Sequence, residues 1–426
     1  MTRERVPRTE ASRRFQPGLI AALLLAPVAA FTGSACALFL VSLDAITRLR
    51  FANPWLLFLL PAAGWAIARI YQSHGNGSEA GTRLLLAEID SPPPPPARSR
   101  VPRRMAPLIL LSTLATHLFG GSAGREGTAV QMGGGVAATF LHPFRLHSDG
   151  ARLLILGGIA AGFGGVFGTP LAGAVFALEA ARSARLWPAL PLLAGAAWIA
   201  DAVCHGWGVS HTQYALKPET ASALVSMPAG LRLLGMATLA GVAFGLAARV
   251  YLGLSEGCAL VLKRAFPAPG LRAAAGGCVL IALFWVAGTP DYLGLGVLQQ
   301  SPDSLTLPGF FQSPEVHPWS WLWKMLFTVV TLGAGFRGGE VTPLFFIGAA
   351  LGNALSGILS SPSDLLAGLG FVTLFGAAAK TPFACWVMGM ELLGPRYAPW
   401  LAAACLGAFL SSGKRALYHP VVPKRA

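Results

Sequence analysis

The stretch GREGTAVQMGGGVAA (Gly124–Ala138) returns later in the chain as GGEVTPLFFIGAALG (Gly338–Gly352). Placing Glu126 on Glu340 also places Thr128 on Thr342. Downstream, FGTPLAGAVFALE (Phe167–Glu179) returns as AAKTPFACWVMGME (Ala378–Glu391). Thr169-Pro170 then falls on Thr381-Pro382, and Glu179 on Glu391. Ser148-Asp149 and Ser363-Asp364 precede this second segment in both halves and read as helix N-caps. A chain that repeats itself in this way is built from two related halves. Many transporters place a substrate site near the membrane midplane between such halves, which run either parallel or inverted. The repeat alone leaves that choice open.

The surroundings of the repeat are those of a membrane protein. Of 426 residues, 54% are hydrophobic and 12% are charged, against about 25% charged in soluble domains. Uncharged runs recur at Gly18–Leu43, Met105–Gly124, Gly127–Phe144, Leu153–Leu178, Ala273–Pro290, Val341–Ser363 and Tyr397–Gly413. Several match the roughly 20 apolar residues a spanning helix needs. The net charge of +14 does not point to nucleic acid. Its basic residues gather at Arg3–Arg14, at Arg98–Arg104 after the prolines Pro92–Pro96, and at Lys414–Arg425. Basic flanks stay cytoplasmic, so both termini and the 97–104 loop are expected inside. No secretory signal is expected, because the first apolar run is too long and lacks a cleavage site. The predicted organisation is a tail at 1–15, a membrane domain at 16–413 and a basic tail at 414–426. Within the membrane domain the halves cover about 16–216 and 229–413, and a stiff Pro/Arg-rich loop covers 91–104.

The sequence argues against an enzyme. Its six cysteines form no CxxC pair and read as small buried hydrophobes. Its eight histidines form no HExxH, and no GxSxG is present. No metal ligand and no cofactor is assigned.

The chemistry sits instead at the two helix starts. The first turn of a helix leaves N–H groups unpaired and carries a partial positive charge of about half an electron. In lipid those groups need partners, and an anion can supply them. The starts at 125–128 (Arg125, Gly127, Thr128) and at 340–342 (Val341, Thr342) could together hold an anion without trapping it. Glu126 stands where that anion would be. Ionised, its carboxylate occupies the site; protonated, it loses its charge and leaves, which links anion movement to proton movement. Arg125 also reads as one half of a structural ion pair. Glu179 and Glu391 read as helix-end carboxylates. Lys380 has no assigned role.

These segments resemble the CLC family of chloride channels and anion/proton antiporters, over nearly the whole chain. GREGTAVQMG and FGTPLAGAVFALE carry the resemblance. It implies an all-α polytopic membrane protein of CLC type, an inverted repeat of tilted and broken transmembrane helices, assembled as a homodimer with one pore per subunit. Chloride-selective members carry GSGIP, GREGP and a GIFAP-like segment. Here the counterparts are GNGSE (Gly75–Glu79), GREGT (Gly124–Thr128) and GEVTP (Gly339–Pro343). Asn76 falls near the family's anion-coordinating serine, with Ser78 as its rival. These departures resemble the fluoride-exporting branch. Fluoride is small and strongly hydrated, so its site needs more or stronger donors, which Asn76 and Thr342 offer. Glu179 matches the first of the family's paired glutamates, and Ala180 replaces the second, proton-transferring one. Proton coupling then falls to Glu126 and next to Glu340. Leu417-Tyr418 is similar to the family's Ile-Tyr, whose phenol lines the inner gate and contacts the anion.

The function expected is therefore anion/proton antiport that exports fluoride, with fluoride or chloride, protons and the lipid bilayer as partners. A multi-pass protein of the bacterial plasma membrane is expected. The rival within the family is a chloride/proton antiporter or chloride channel. The rival outside it is a cation-coupled solute carrier.

Overall fold

A computed structural model describes residues 10–92, 99–141, 143–144, 146, 149–225, 227–313 and 317–418. Most of the prolines at 92–96, most of the two terminal tails and Ser148 lie outside them. The first half forms α1 (Glu10–Ala52), α2 (Leu60–His74), α3 (Thr82–Asp90), α4 (Met105–Leu118), α5 (Glu126–Leu141), α6 (Asp149–Phe167), α7 (Pro170–Ala180) and α8 (Leu190–Gly206). The short α9 (Pro218–Val225) follows. The second half forms α10 (Met227–Ala265), α11 (Pro269–Ala287), α12 (Gly309–Gln312), α13 (Ser320–Gly333), α14 (Val341–Ile358), α15 (Ser363–Ala379), α16 (Pro382–Leu393) and α17 (Ala398–Ser411). Each of α1–α8 thus has a counterpart among α10–α17, in the same order.

The packing repeats as well. α5 lies on α6 as α14 lies on α15, and α1 lies on α8 as α10 lies on α17. Glycine makes both crossings possible. A Cβ at Gly133 would lie 1.9 Å from the Gly158 carbonyl oxygen, and one at Gly348 would lie 1.9 Å from that of Gly370. Small residues let helix backbones meet closely where lipid offers no hydrophobic drive to pack.

Among the described residues, seven helical spans are long and apolar enough to cross a membrane, starting with Leu19–Ala52 and ending with Val341–Ile358. Others are too short. The 14 residues of α4 and the 11 of α7 extend about 21 and 17 Å at 1.5 Å per residue, against a hydrocarbon core of about 30 Å. The uncharged run Leu153–Leu178 is accordingly two helices rather than one. Gly168 (φ +70°) ends α6, and Pro170 opens α7 after an extended Thr169. The same break recurs between α15 and α16 at Lys380 (φ +61°), Thr381 and Pro382.

The two halves run in opposite directions. Glu179, at the C-terminal end of α7, accepts hydrogen bonds from Phe383 N–H (3.2 Å) and Ala384 N–H (2.8 Å) at the start of α16. Glu391, at the C-terminal end of α16, accepts from Leu171 N–H (3.0 Å) and Ala172 N–H (2.8 Å) at the start of α7. This exchange requires α7 and α16 to lie antiparallel across a two-fold axis, which settles the choice the repeat left open in favour of inversion.

The structure refines three expectations. Residues 10–15 of the expected tail are helical and continue into α1. Residues 417–418 are buried, with Leu417 N–H on the Ala378 carbonyl (3.0 Å), so this part of the C-terminal segment is docked. Ser363-Asp364 does not cap α15, whose N-cap is Pro362. Asp364 instead accepts from Lys217 N–H (2.7 Å) and Thr220 Oγ1 (2.8 Å) and so holds the start of α9.

Candidate anion site at two helix starts

The first turns of α5 and α14 are fastened to each other. Gly124 N–H donates to the Gly339 carbonyl (2.6 Å) and Gly339 N–H to the Gly124 carbonyl (2.7 Å), an antiparallel bridge. The approach leaves no room for side chains. A Cβ at Gly339 would lie 2.6 Å from the Gly127 nitrogen, and one at Gly127 would lie 2.9 Å from the Gly339 Cα. Gly127 therefore serves by its closeness.

This bridge fixes the register of the repeat, and it differs by one residue from the match of Glu126 with Glu340. Gly124 pairs with Gly339, α5 begins at Glu126 and α14 at Val341. Glu340 thus shares its place with Arg125, and Thr342 shares its place with Gly127. The turns before the bridge agree: Gly121 N–H donates to the Thr116 carbonyl as Phe336 N–H donates to that of Thr331. Register here follows backbone pairing and not letter identity, so the two carboxylates hold different positions.

Glu126 is 1% exposed. Its Oε2 accepts from Thr342 N–H (3.0 Å), Thr342 Oγ1–H (2.5 Å) and Arg125 N–H (3.2 Å). Its Oε1 lies 3.4 Å from Arg125 Nε. The carboxylate therefore fills the joint between the two positive helix ends, and three donors from both halves converge on one oxygen. Pro343 has no N–H, so Thr342 is the donor that its own turn offers beside Val341. The Arg125 side chain is 17% exposed and lines a cavity of about 410 Å³ with Leu40, Asp44, Arg48 and His211.

The remaining expected residues are placed as follows. Thr128 is fully buried, and its hydroxyl pairs with Thr113 Oγ1 (2.8 Å), so it faces α4 and not the carboxylate. Val341 is buried in the first turn of α14. Glu340 is half-buried, with Arg83 as its charged neighbour. Tyr418 is buried with its ring edge-on to Phe176 (6.1 Å), and the charges of Glu340 and Glu126 bear on it. Arg83 also donates to the Leu417 carbonyl (3.3 Å), tying the C-terminal segment to α3.

Asn76 lies on the turn after α2, exposed and with φ +45°. No hydrogen bond joins it to the Glu126 cluster among the described residues. Ser78 is buried and bonds back to the Gly75 carbonyl (2.5 Å), so its hydroxyl serves the turn. That turn is nevertheless anchored to the second helix start. Arg337 donates to the Glu79 carbonyl (3.1 Å) and lies over the Tyr71 ring at 4.0 Å.

One residue escaped the sequence reading, and another, Lys380, received no role from it. Tyr251 on α10 is fully buried, and among the described residues its hydroxyl has no hydrogen-bond partner; the charge of Glu340 bears on it. Nothing in its local spacing marks it. Lys380 takes the left-handed place that Gly168 fills in the first half, and its ammonium binds Ser412 Oγ (2.6 Å) and the Gly413 carbonyl (2.5 Å) at the end of α17.

Comparison with known proteins supplies the family. Residues 59–413 match the family model described as voltage gated chloride channel. A "Chloride/fluoride channel protein" of Pseudomonas syringae pv. tomato is 44% identical over 92% of this chain and 84% of its own length. A crystal structure of a CLC-type fluoride/proton antiporter superposes with a TM-score of 0.80 at 30% identity, covering 96% of this chain and 98% of the other. A slow cyanobacterial Cl-/H+ antiporter shares the fold, with a TM-score of 0.73 at 19% identity over 93% and 94% of the two chains. With the inverted repeat and the two joined helix starts, these likenesses make the chain a multi-pass integral membrane protein that belongs to the CLC voltage gated chloride channel family.

Proposed function

We propose that this chain exports fluoride in exchange for protons, with Glu126 as both gate and proton carrier. The observation that carries the reading is the seat of the Glu126 carboxylate on donors from both halves. When the carboxylate takes a proton it loses the charge that holds it there. Thr342 N–H, Thr342 Oγ1–H and Arg125 N–H are then open to an incoming anion. Two of them are backbone groups at positive helix ends, and the third is a hydroxyl within the same turn. A small, hard anion gains most from such short donors. The names of the relatives point the same way: one is a fluoride/proton antiporter and one a chloride/fluoride channel protein.

Glu340, with Arg83, Tyr251 and Tyr418 within range of its charge, would form a polar approach to this joint, where Glu340 would pass protons and Tyr418 would contact the anion. Asn76, on the anchored turn, would meet the ion before it reaches the joint, and Gly127, Thr128 and Val341 would shape the two starts.

The membrane domain of about 16–413 would sit in a bacterial plasma membrane with the arginine-bearing loop inside. Arg100 binds the Ser91 carbonyl, and Arg152 binds those of Ile89 and Asp90, so arginines gather at one end of the fold, as cytoplasmic faces require. A homodimer fits the apolar residues left uncovered on α8, α16 and α17, such as Trp198, Phe383, Leu406 and Leu410.

The test is anion efflux from proteoliposomes, fluoride against chloride, with external pH followed at the same time. Fluoride leaving ahead of chloride with proton uptake supports the reading. Chloride leaving as fast as fluoride supports a chloride/proton antiporter or channel instead. Sodium-dependent solute uptake would point to a cation-coupled carrier.

A further inference from the structure

At the end of α8, away from Glu126, a carboxylate and two imidazoles converge. Asp201 and His205 stand one helical turn apart, and the segment after the helix returns His211 to them. Asp201 Oδ1 lies 3.3 Å from His205 Nδ1 and 3.3 Å from His211 Nε2. All three candidate ligand atoms lie within 4.8 Å of one another. Ligands at about 2.0–2.1 Å from a tetrahedral zinc ion stand roughly 3.3–3.4 Å apart, so two of the three separations already suit one ion.

A second observation is independent of the spacing. Among the described residues, neither Asp201 Oδ1 nor His211 Nε2 makes a well-formed hydrogen bond, although both are buried and face each other at 3.3 Å, and the His211 side chain is only 8% exposed. Buried polar atoms without partners are rare and ask for an explanation. The His211 ring is wedged against Gly168, where a Cβ would lie 2.5 Å from it, so its orientation is set by the fold. The His205 side chain is 52% exposed, which leaves an approach from solvent and a fourth position for water. His205 Nδ1 also lies 3.0 Å from the Asp201 carbonyl. Metal binding would take that nitrogen unprotonated out of this contact, or would turn the ring to present Nε2.

We propose that Asp201, His205 and His211 bind a divalent transition-metal ion such as zinc, and that the bound ion restricts anion passage through the adjoining cavity. Two imidazoles and one carboxylate suit zinc, nickel or cobalt and disfavour magnesium, which takes oxygen ligands. The link to transport is His211, which lines the same cavity as Arg125. With the arginine-rich end inside, this cavity lies at the opposite, outer end of α1, where Asp44 and Arg48 also line it.

The test uses the purified, full-length assembly in detergent. Zinc is titrated by calorimetry, and cobalt by its visible absorption. One saturable ion per subunit is expected, with magnesium inert. Binding should weaken at least about tenfold in His211→Ala and in His205→Gln. His205 is half exposed, so His205→Gln keeps the test valid if His211→Ala fails to fold. No saturable binding, or binding unchanged in a folded variant, overturns the site and leaves a plain His–Asp ion pair. External zinc should then slow anion efflux severalfold in the wild-type protein and not in His205→Gln. Zinc that binds without slowing efflux overturns the link to passage. The binding measurements do not depend on which anion is carried, so their failure is separable from failure of the fluoride reading.

Discussion

Thr342, in the second half of the chain, gives both its backbone N–H and its hydroxyl to one carboxylate oxygen of Glu126 in the first half, at 3.0 and 2.5 Å. A buried carboxylate of one repeat is therefore held by the helix start of the other. Each half supplies something the other lacks: the first a charge that can be neutralised, the second a hydroxyl beside a positive helix end.

Glu126→Gln keeps the shape of the side chain and removes its charge and its titratable proton. Proton uptake coupled to anion efflux should fall at least about tenfold, or about 1.4 kcal/mol in barrier terms. Any remaining efflux should be indifferent to an imposed pH gradient. Proteoliposomes with a pH electrode and an anion electrode measure both at once, and coupling that survives would remove Glu126 from the mechanism.

Thr342→Val leaves the volume nearly unchanged and deletes the hydroxyl. A hydrogen bond to a charged group contributes about 1.5–3 kcal/mol. Fluoride should bind roughly tenfold or more weakly, while Thr128→Val, whose hydroxyl faces Thr113, should have a smaller effect on anion affinity. Isothermal titration of the purified variants compares the two; equal losses would place both hydroxyls in the path.

Gly339→Ala places a methyl group 2.6 Å from the Gly127 nitrogen. Because the neighbour is backbone, the two helix starts must move apart. Overpacking of this kind costs about 1–3 kcal/mol, so a lower thermal midpoint in detergent is expected together with loss of coupled transport. A variant of wild-type stability and activity would show that the contact between the starts is dispensable.

Glu179→Ala and Glu391→Ala each strip two N–H groups of their acceptor at the start of an opposing helix. Losses of about 1–2 kcal/mol are expected, nearly equal because the two contacts are images of each other. The number of protons moved per anion should not change. Thermal unfolding and the coupling assay together separate this capping role from a role in proton transfer.

Much of this arrangement was legible in the sequence because it rests on periodic, local features. Uncharged runs marked the helices, Thr-Pro pairs at 169–170 and 381–382 marked the breaks, and the two glycine-rich starts marked the candidate site. The finer register was not legible. Glu126 and Glu340 are the same letter among glycines and threonines, and nothing nearby penalises a slip of one residue. The paired hydrogen bonds of Gly124 and Gly339, with the matching turns before them, decide it, and they align GREGT at 124–128 with GEVTP at 339–343. The direction of the Thr128 hydroxyl was not legible for a related reason. Its partner Thr113 lies on another helix, and the direction of a hydroxyl inside a bundle has no signature in spacing. Glu179 and Glu391 were rightly read as helix-end carboxylates, but the helices they serve lie in the opposite half, beyond the reach of any local pattern.

That exchange of glutamates has a consequence for how such a chain could arise. A single half-length protein, paired with an upside-down copy of itself, would satisfy both helix starts with one glutamate. It would need no second design, only a gene able to insert in either direction. Joining two such copies through a connector like α9 would free each to diverge. The unequal residues Gly168 and Lys380, or Glu126 and Val341, are what that freedom looks like, while Glu179 and Glu391 still hold the original handshake.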